Sequence, residues 1–263
     1  MTLLLDVGNT ALKWAQSEGG ERLGHAQVEL HRGRADGLEQ RLAQAWQKVA
    51  WNDPALGCSV AVADVREAVE RAARTHGGSI RWLAAQNRYD GAFVLQNGYR
   101  EPGQLGADRW HGMLGACERR PGQSLVLVAA GTATTIDCVE WRGGLALFIG
   151  GCIAPGTALM LESLAQRTGG LPHARGDWVD FPDNTDDAIA TGVTDAQAGL
   201  ALRVVERARR RFGSAPQVIV SGGDADALAK RLSICGVALA IEHNLVLGGL
   251  ALRARTTDHG SHR

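Results

Sequence analysis

Asp6, Gly8, Asn9, Thr10 and Lys13 place a carboxylate, a side-chain-free backbone, an amide, a hydroxyl and an ammonium within one short stretch, Asp6-Val7-Gly8-Asn9-Thr10-Ala11-Leu12-Lys13. A glycine turn lets backbone N–H groups approach an anion with no Cβ in the way. The threonine hydroxyl adds a donor. An aspartate at a strand end can organise Mg²⁺, usually through waters. Lys13 can neutralise phosphate charge. Taken alone, an ordinary hairpin turn accounts for the same residues equally well.

Two further glycine turns share the pattern. Gly131-Thr132-Ala133-Thr134-Thr135 is rich in hydroxyls, although strands favour threonine in any case. Ser221-Gly222-Gly223-Asp224 follows an apolar run and could let an adenosine lie against glycine backbone. The three together, in this order, are expected to hold a nucleotide. Cys152, in Gly151-Cys152-Ile153-Ala154-Pro155-Gly156, has no histidine near it in sequence and reads as a small apolar filler. That segment is expected to be structural.

The elements that must position these turns follow from hydrophobic patterning. Thr2–Leu5 reads as a buried strand and Thr10–Ala15 as its returning partner. Residues 36–50 carry Leu38, Leu42, Ala45, Trp46 and Val49 at helical spacing. Cys58–Val62 is a strand candidate, and residues 64–75 and 105–118 are helical. Ser124–Ala130, Ile136–Val139 and Leu145–Ile149 are strands. Leu159–Arg167 and Asp186–Phe212 are helices, and Gln217–Val220 is a strand followed by a helix over Ala225–Leu232. The form strand, Gly/Thr turn, strand occurs twice, from Leu3 and from Leu125. Two related halves of this kind are a way to build a cleft. The expected partition is residues 1–115 and 116–263.

Composition excludes several classes. The chain has 28 Lys+Arg against 28 Asp+Glu, so there is no basic excess of the kind a nucleic-acid partner requires. The five cysteines are scattered with no CxxC pair, which argues against a disulfide framework or structural zinc. The three leucines after Met1-Thr2 do not make a signal peptide, and no apolar run is long enough to span a bilayer. A cytoplasmic protein with reduced thiols, and no membrane partner, is expected. The polar end from Thr256 to Arg263 is expected to fray.

The three turns resemble those of the superfamily of acetate and sugar kinases, heat-shock ATPases and actin. Within it, Asp6-x-Gly8-Asn9-Thr10-x-x-Lys13, then Gly106-Ala107-Asp108-Arg109, then Gly131-Thr132-Ala133-Thr134-Thr135-x-Asp137 resemble the type III pantothenate kinase family, which includes proteins described as Bvg accessory factors. The resemblance covers essentially the whole chain, and Gly106–Arg109 is its most discriminating piece. It implies an α/β chain of two ribonuclease H-like halves, the actin-like ATPase fold, with a nucleotide cleft between them. It implies ATP-dependent phosphorylation of pantothenate to 4'-phosphopantothenate, the first step of coenzyme A biosynthesis.

The resemblance also implies roles. Asp108 is the general base, and Arg109 suits a fork-shaped bond to the substrate carboxylate. Tyr99, Gly106, Ala107 and Thr185 contact pantothenate, and Thr185 reaches the other subunit's site in a homodimer. Residues Asp6–Lys13 and Thr132 bind ATP phosphates, with Asp6 on Mg²⁺. On the residues alone, Asp108 and Arg109 read as an exposed helix-start pair, Tyr99 as half-buried, and Thr185 as a helix N-cap.

One position departs from the family. Most members carry an aspartate, associated with a monovalent cation (K⁺ or NH₄⁺), where this chain has Ala129. An alanine cannot ligate a hard cation. Either that site is absent, or other oxygens such as backbone carbonyls replace it. Two other readings stay open: a nucleotide-binding regulatory protein without turnover, and a kinase of another small anionic substrate.

Overall fold

The computed structural model describes residues 1–49, 52–167 and 176–258. The chain forms two compact units. The first comprises Met1–Pro121, Gly143–Ala146 and the C-terminal segment from Asn244, and the second comprises Gly122–Arg142 and Leu147–His243. The expected partition at 115/116 falls inside a helix. The observed parting lies just beyond that helix, and the C-terminal segment returns to the first unit.

In the first unit β1 (Thr2–Val7) and β2 (Ala11–Glu18) form an antiparallel hairpin, extended by β3 (Arg22–Leu23) and β4 (Gln27–Leu30), both on β2. Then come α1 (Leu38–Ala45), β5 (Asn52–Ser59), α2 (Ala63–Thr75) and β6 (Ile80–Trp82). The sheet order is β3-β2-β1-β5-β6, with β5 parallel to β1 and β6 parallel to β5. Leu3, Leu5 and Val7 point from β1 into one core with Leu38, Leu42, Val65 and Val69 from the two helices. Leu4, on the other face, meets Ala15, Cys58, Leu247 and Leu250. This is the period-two alternation of a strand buried on both faces. The hairpin β7 (Arg88–Asp90) and β8 (Val94–Asn97) precedes α3 (Ala107–Arg119).

The second unit repeats the plan. It contains β9 (Leu125–Ala130), β10 (Ala133–Arg142), β11 (Leu145–Pro155), α4 (Thr157–Arg167), α5 (Thr185–Phe212), β12 (Gln217–Ser221), α6 (Ala225–Ile234) and β13 (Leu239–Ile241). Read from β11, the order β11-β10-β9-β12-β13 matches β3-β2-β1-β5-β6 strand for strand. In both, the first strand of the unit pairs antiparallel with the next strand and parallel with a later one. The core joins Val126, Val128, Ile136, Ala201, Val204, Val220 and Leu228. Cys152 packs against this core, in keeping with its reading as a filler.

The last helix, α7 (Leu245–Asp258), belongs to the first unit and lies on α3. The two meet backbone to backbone: a methyl group on Gly115 would overlap the Leu245 carbonyl, and one on Gly249 would overlap that of His111. Helix α7 carries the expected tail as far as Asp258, and residues 259–263 lie outside the described residues. One strand expectation shifts. The strand predicted over Cys58–Val62 runs instead over Asn52–Ser59, because Leu56 and Cys58 are the residues with a core to fill, while Val62 is exposed. Pro54 and Gly57 had masked that strand.

Candidate active site

The first glycine turn joins β1 to β2. Gly8 N–H donates to the Ala11 carbonyl at 3.0 Å, closing the hairpin. The segment after β4 braces it: the N–H groups of His31 and Arg32 both donate to the Thr10 carbonyl, at 2.9 and 2.8 Å. The buried His31 ring accepts the Gly33 N–H on Nδ1 at 3.1 Å, which requires a neutral ring. Burial supplies that by lowering its pKa. Carbonyls engaged in this way cannot swing toward a bound anion. His31 is a residue that sequence reasoning missed. Its only signal is its place at the end of an apolar alternation, beside Gly33 at φ 74°.

Asp6 sits opposite Lys13 in the β1–β2 register, on the strand whose core residues are fully buried. Its pKa is raised to about 7, chiefly by burial; Lys13 pulls it down and Asp108 pushes it up. Asp6, on β1, thus feels the charge of Asp108, in the first turn of α3. The Asp108 pKa is also raised by burial, opposed by the Arg109 N–H that donates to Oδ1 at 2.8 Å and by the Arg109 charge. A like charge nearby disfavours ionisation of a desolvated carboxylate. Among the described residues no group of three or more His, Cys, Asp or Glu side chains forms a metal site. Asp6, near the end of β1, is the carboxylate for which a Mg²⁺ role is expected from the sequence.

Gly106 caps α3, and Asp108 lies in its first turn, where the helix dipole favours an anion. Arg109 is buried at 7% exposure, and its Nη1 donates to the Tyr99 hydroxyl at 2.9 Å. Its guanidinium also lies 5.7 Å from the Tyr99 ring centre. The structure thus brings together Tyr99, Gly106, Ala107, Asp108 and Arg109. The helix-start expectation holds for Asp108, whereas the exposed character expected of the pair does not. Arg109 opens a run, to Cys117, in which every side of α3 is buried. An open depression of about 370 Å³ adjoins, lined by Tyr99, Arg100, Glu101 and Gln104.

In the second unit the other two turns meet each other. Gly131-Thr132 ends β9, with Gly131 N–H donating to Ala133 at 3.2 Å and Thr132 exposed at the tip. Gly156, after β11, donates to the Thr132 carbonyl at 3.0 Å. Gly156 packs so closely that any Cβ would overlap the Gly131 carbonyl. Gln197 on α5 holds this segment by donating to the Pro155 carbonyl at 2.7 Å. Gly222, at φ 106°, lies against the Ala130 backbone, and Asp224 N–H donates to the Ala130 carbonyl at 3.1 Å. Ala129 pairs with Thr135 on one side and Ser221 on the other. A cavity of about 350 Å³ in this unit lies at Ser124 and Gln217, at the opposite ends of β9 and β12 from the turns.

Thr185 is the first residue of α5, and Asn184 is its N-cap, accepting the Asp187 N–H at 3.0 Å. The capping role read for Thr185 falls to its neighbour, because the asparagine side chain is the better-placed acceptor in extended backbone. Thr185 is exposed, with its hydroxyl uncommitted to the cap.

Comparison with known proteins agrees with this arrangement. A profile of the type III pantothenate kinase family matches residues 2–207. A protein named type III pantothenate kinase from Laribacter hongkongensis is 39% identical over 97% of this chain and 99% of its own length. Another of the same name from Bordetella pertussis is 39% identical over 85% of this chain and 82% of its own. Among solved structures, a 2-dehydro-3-deoxygalactonokinase protein from Sinorhizobium meliloti, described as putative, superposes with a TM-score of 0.59 at 15% identity, covering 98% of this chain and 99% of that one. A conserved protein of Campylobacter jejuni, described as a Baf family transcriptional activator, gives 0.56 at 17% identity, covering 98% and 99%. These likenesses show the actin-like ATPase fold, two ribonuclease H-like halves, and the family match shows more: the chain belongs to the type III pantothenate kinase family.

Proposed function

We propose that this chain transfers the γ-phosphoryl group of ATP to the primary hydroxyl of pantothenate, giving 4'-phosphopantothenate for coenzyme A synthesis in the cytoplasm. The observation that carries the reading is Asp108 beside a buried Arg109 that is already fixed by Tyr99. Arg109, held by Tyr99, pairs with the substrate carboxylate, and Asp108 takes the proton of the hydroxyl. A base works best with a pKa near the working pH, and burial moves Asp108 in that direction. Asp6 through Lys13 and Thr132 hold the ATP phosphates; Mg²⁺, on Asp6, neutralises charge on them. The chemistry then needs little beyond positioning and charge.

Purified protein with Mg-ATP and pantothenate tests this directly. Formation of ADP and 4'-phosphopantothenate is expected, and ATP binding without product, or turnover only with another acceptor, overturns it. The alanine at position 129, between two hydroxyl-bearing residues and with no carboxylate of its own, supports turnover independent of added K⁺ or NH₄⁺. A strict requirement for either ion refutes that part.

We further propose a homodimer through the second unit. Ile153 is 63% exposed and Phe181 94%, with Leu159 on α4 also exposed. Thr185, close to Phe181 in sequence, is then available to the other subunit's pantothenate. Phe181→Asp should yield monomer by light scattering and raise KM for pantothenate. A variant that stays dimeric with an unchanged KM removes this face from consideration.

A further inference from the structure

Tyr99 fixes Arg109, and Tyr99 itself lies on the connection between β8 and α3. Asn97, the last residue of β8, is a polar side chain at 4% exposure in a chain whose other buried strand ends are apolar. Burying an amide costs free energy unless its donors and acceptor are satisfied. Here all are. Asn97 Nδ2 donates to the Gln86 carbonyl at 3.1 Å and to the Pro102 carbonyl at 3.2 Å, and Oδ1 accepts the Tyr99 N–H at 3.1 Å. Its own backbone N–H donates to Asn87 at 2.9 Å. One side chain thus ties together the entry to β7, Tyr99 two residues beyond β8, and the helical turn at Pro102–Gln104 that leads to Gly106.

We infer that Asn97 is a positioning residue for the acceptor substrate: it sets the Tyr99 backbone, Tyr99 sets the Arg109 guanidinium, and together they determine affinity for the substrate carboxylate. The inference rests on the pantothenate reading above. A general packing role predicts loss of stability and of both substrates' binding. The tether predicts a loss confined to pantothenate and routed through Tyr99.

The experiment is a double-mutant cycle. Asn97→Ala removes every side-chain tie, and Asn97→Asp keeps the acceptor for Tyr99 and loses both donors, so a poorly folding alanine variant still leaves a second reading. Each is combined with Tyr99→Ala, with KM for pantothenate and for ATP, kcat, pantothenate calorimetry and thermal midpoint measured. In the wild-type background a rise in pantothenate KM of roughly tenfold or more is expected, the scale of two to three lost hydrogen bonds. KM for ATP should stay within about twofold. In the Tyr99→Ala background the same change at position 97 should have almost no further effect. An unchanged pantothenate KM, or an equal rise with and without Tyr99, overturns the assignment. A wild type that binds pantothenate without turning it over refutes the kinase reading while calorimetry still decides Asn97; a wild type that does neither overturns both.

Discussion

Asp6→Asn should stabilise the metal-free protein at pH 8, the reverse of what removing a buried charged residue usually does. Raising the Asp6 carboxyl from its ordinary 3.8 to about 7 penalises the ionised form by ~4 kcal/mol. The residue keeps some contact with solvent, so this is an upper value. The sign follows from linkage. Between about pH 4 and pH 7 the folded chain holds a proton here that the unfolded chain has released. Stability therefore falls as pH rises through that window and stays lower above it. Asparagine carries no such proton. In urea denaturation followed by tryptophan fluorescence, the gap between variant and wild type should open from near zero at pH 4 to ~2–4 kcal/mol at pH 8. Mg²⁺ with ATP should close the gap by stabilising the wild type alone, since binding to the folded state adds directly to stability. If the variant is instead less stable at pH 8, or if the two proteins show the same pH slope, Asp6 is an ordinary structural carboxylate and its assignment to Mg²⁺ fails.

Other outcomes follow from the same geometry. Asp108→Asn should lower kcat by roughly 10²–10⁴, the usual worth of a positioned base, with the thermal midpoint retained; steady-state kinetics at near-wild-type rate would remove it from the chemistry. Arg109→Lys should raise pantothenate KM by roughly 10- to 100-fold while leaving ATP KM alone, because an ammonium cannot reproduce the fork held by Tyr99. His111 donates Nδ1–H to the Ala107 carbonyl at 2.7 Å, and burial lowers its pKa to about 4. Its folded value lies below the unfolded one, so stability should drop by up to ~3 kcal/mol as pH falls from 6.5 to 4, and His111→Gln should flatten that slope in acid titrations. Gly222→Ala should cost roughly 1–3 kcal/mol and abolish measurable ATP binding by calorimetry, since the residue sits at φ 106° against Ala130.

The sequence made the parts with strong local signatures legible. β1, β9 and β12 are dense apolar runs ending in glycine turns, and both the element and the turn were readable from them. Long α5 was readable through its periodicity, from Asp186 in the reading and Thr185 in the structure. Helix α7 was not: it is apolar over its first half and carries Gly248 and Gly249 as its fourth and fifth residues, where glycine reads as a breaker. Those glycines exist for close contact with α3, a tertiary reason invisible locally. The short strands β6, β7 and β13 each have three residues, too few to show a period. At the site, Asp6, Asp108 and Arg109 carry motifs, whereas His31 and Asn97 act by holding backbone groups, of Gly33 for one and of Gln86, Tyr99 and Pro102 for the other, which no residue-type pattern announces. An asparagine at a strand end and a histidine after an edge strand look the same whether or not they hold a functional loop.

The stacking of Gly156 on Gly131, and of Gly222 on Ala130, has a bearing on how such a site can diversify. The spacing between the hydroxyl at Thr132 and the glycine surface at Ser221–Gly223 is gauged by peptide units alone, with no side chain in the stack. Side-chain substitution at Gly156 or Gly222 cannot lengthen or shorten it by degrees, because a Cβ at either would overlap backbone. Variation is thereby displaced outward, to residues such as Asp224 and the start of α6, which border the stack without forming it.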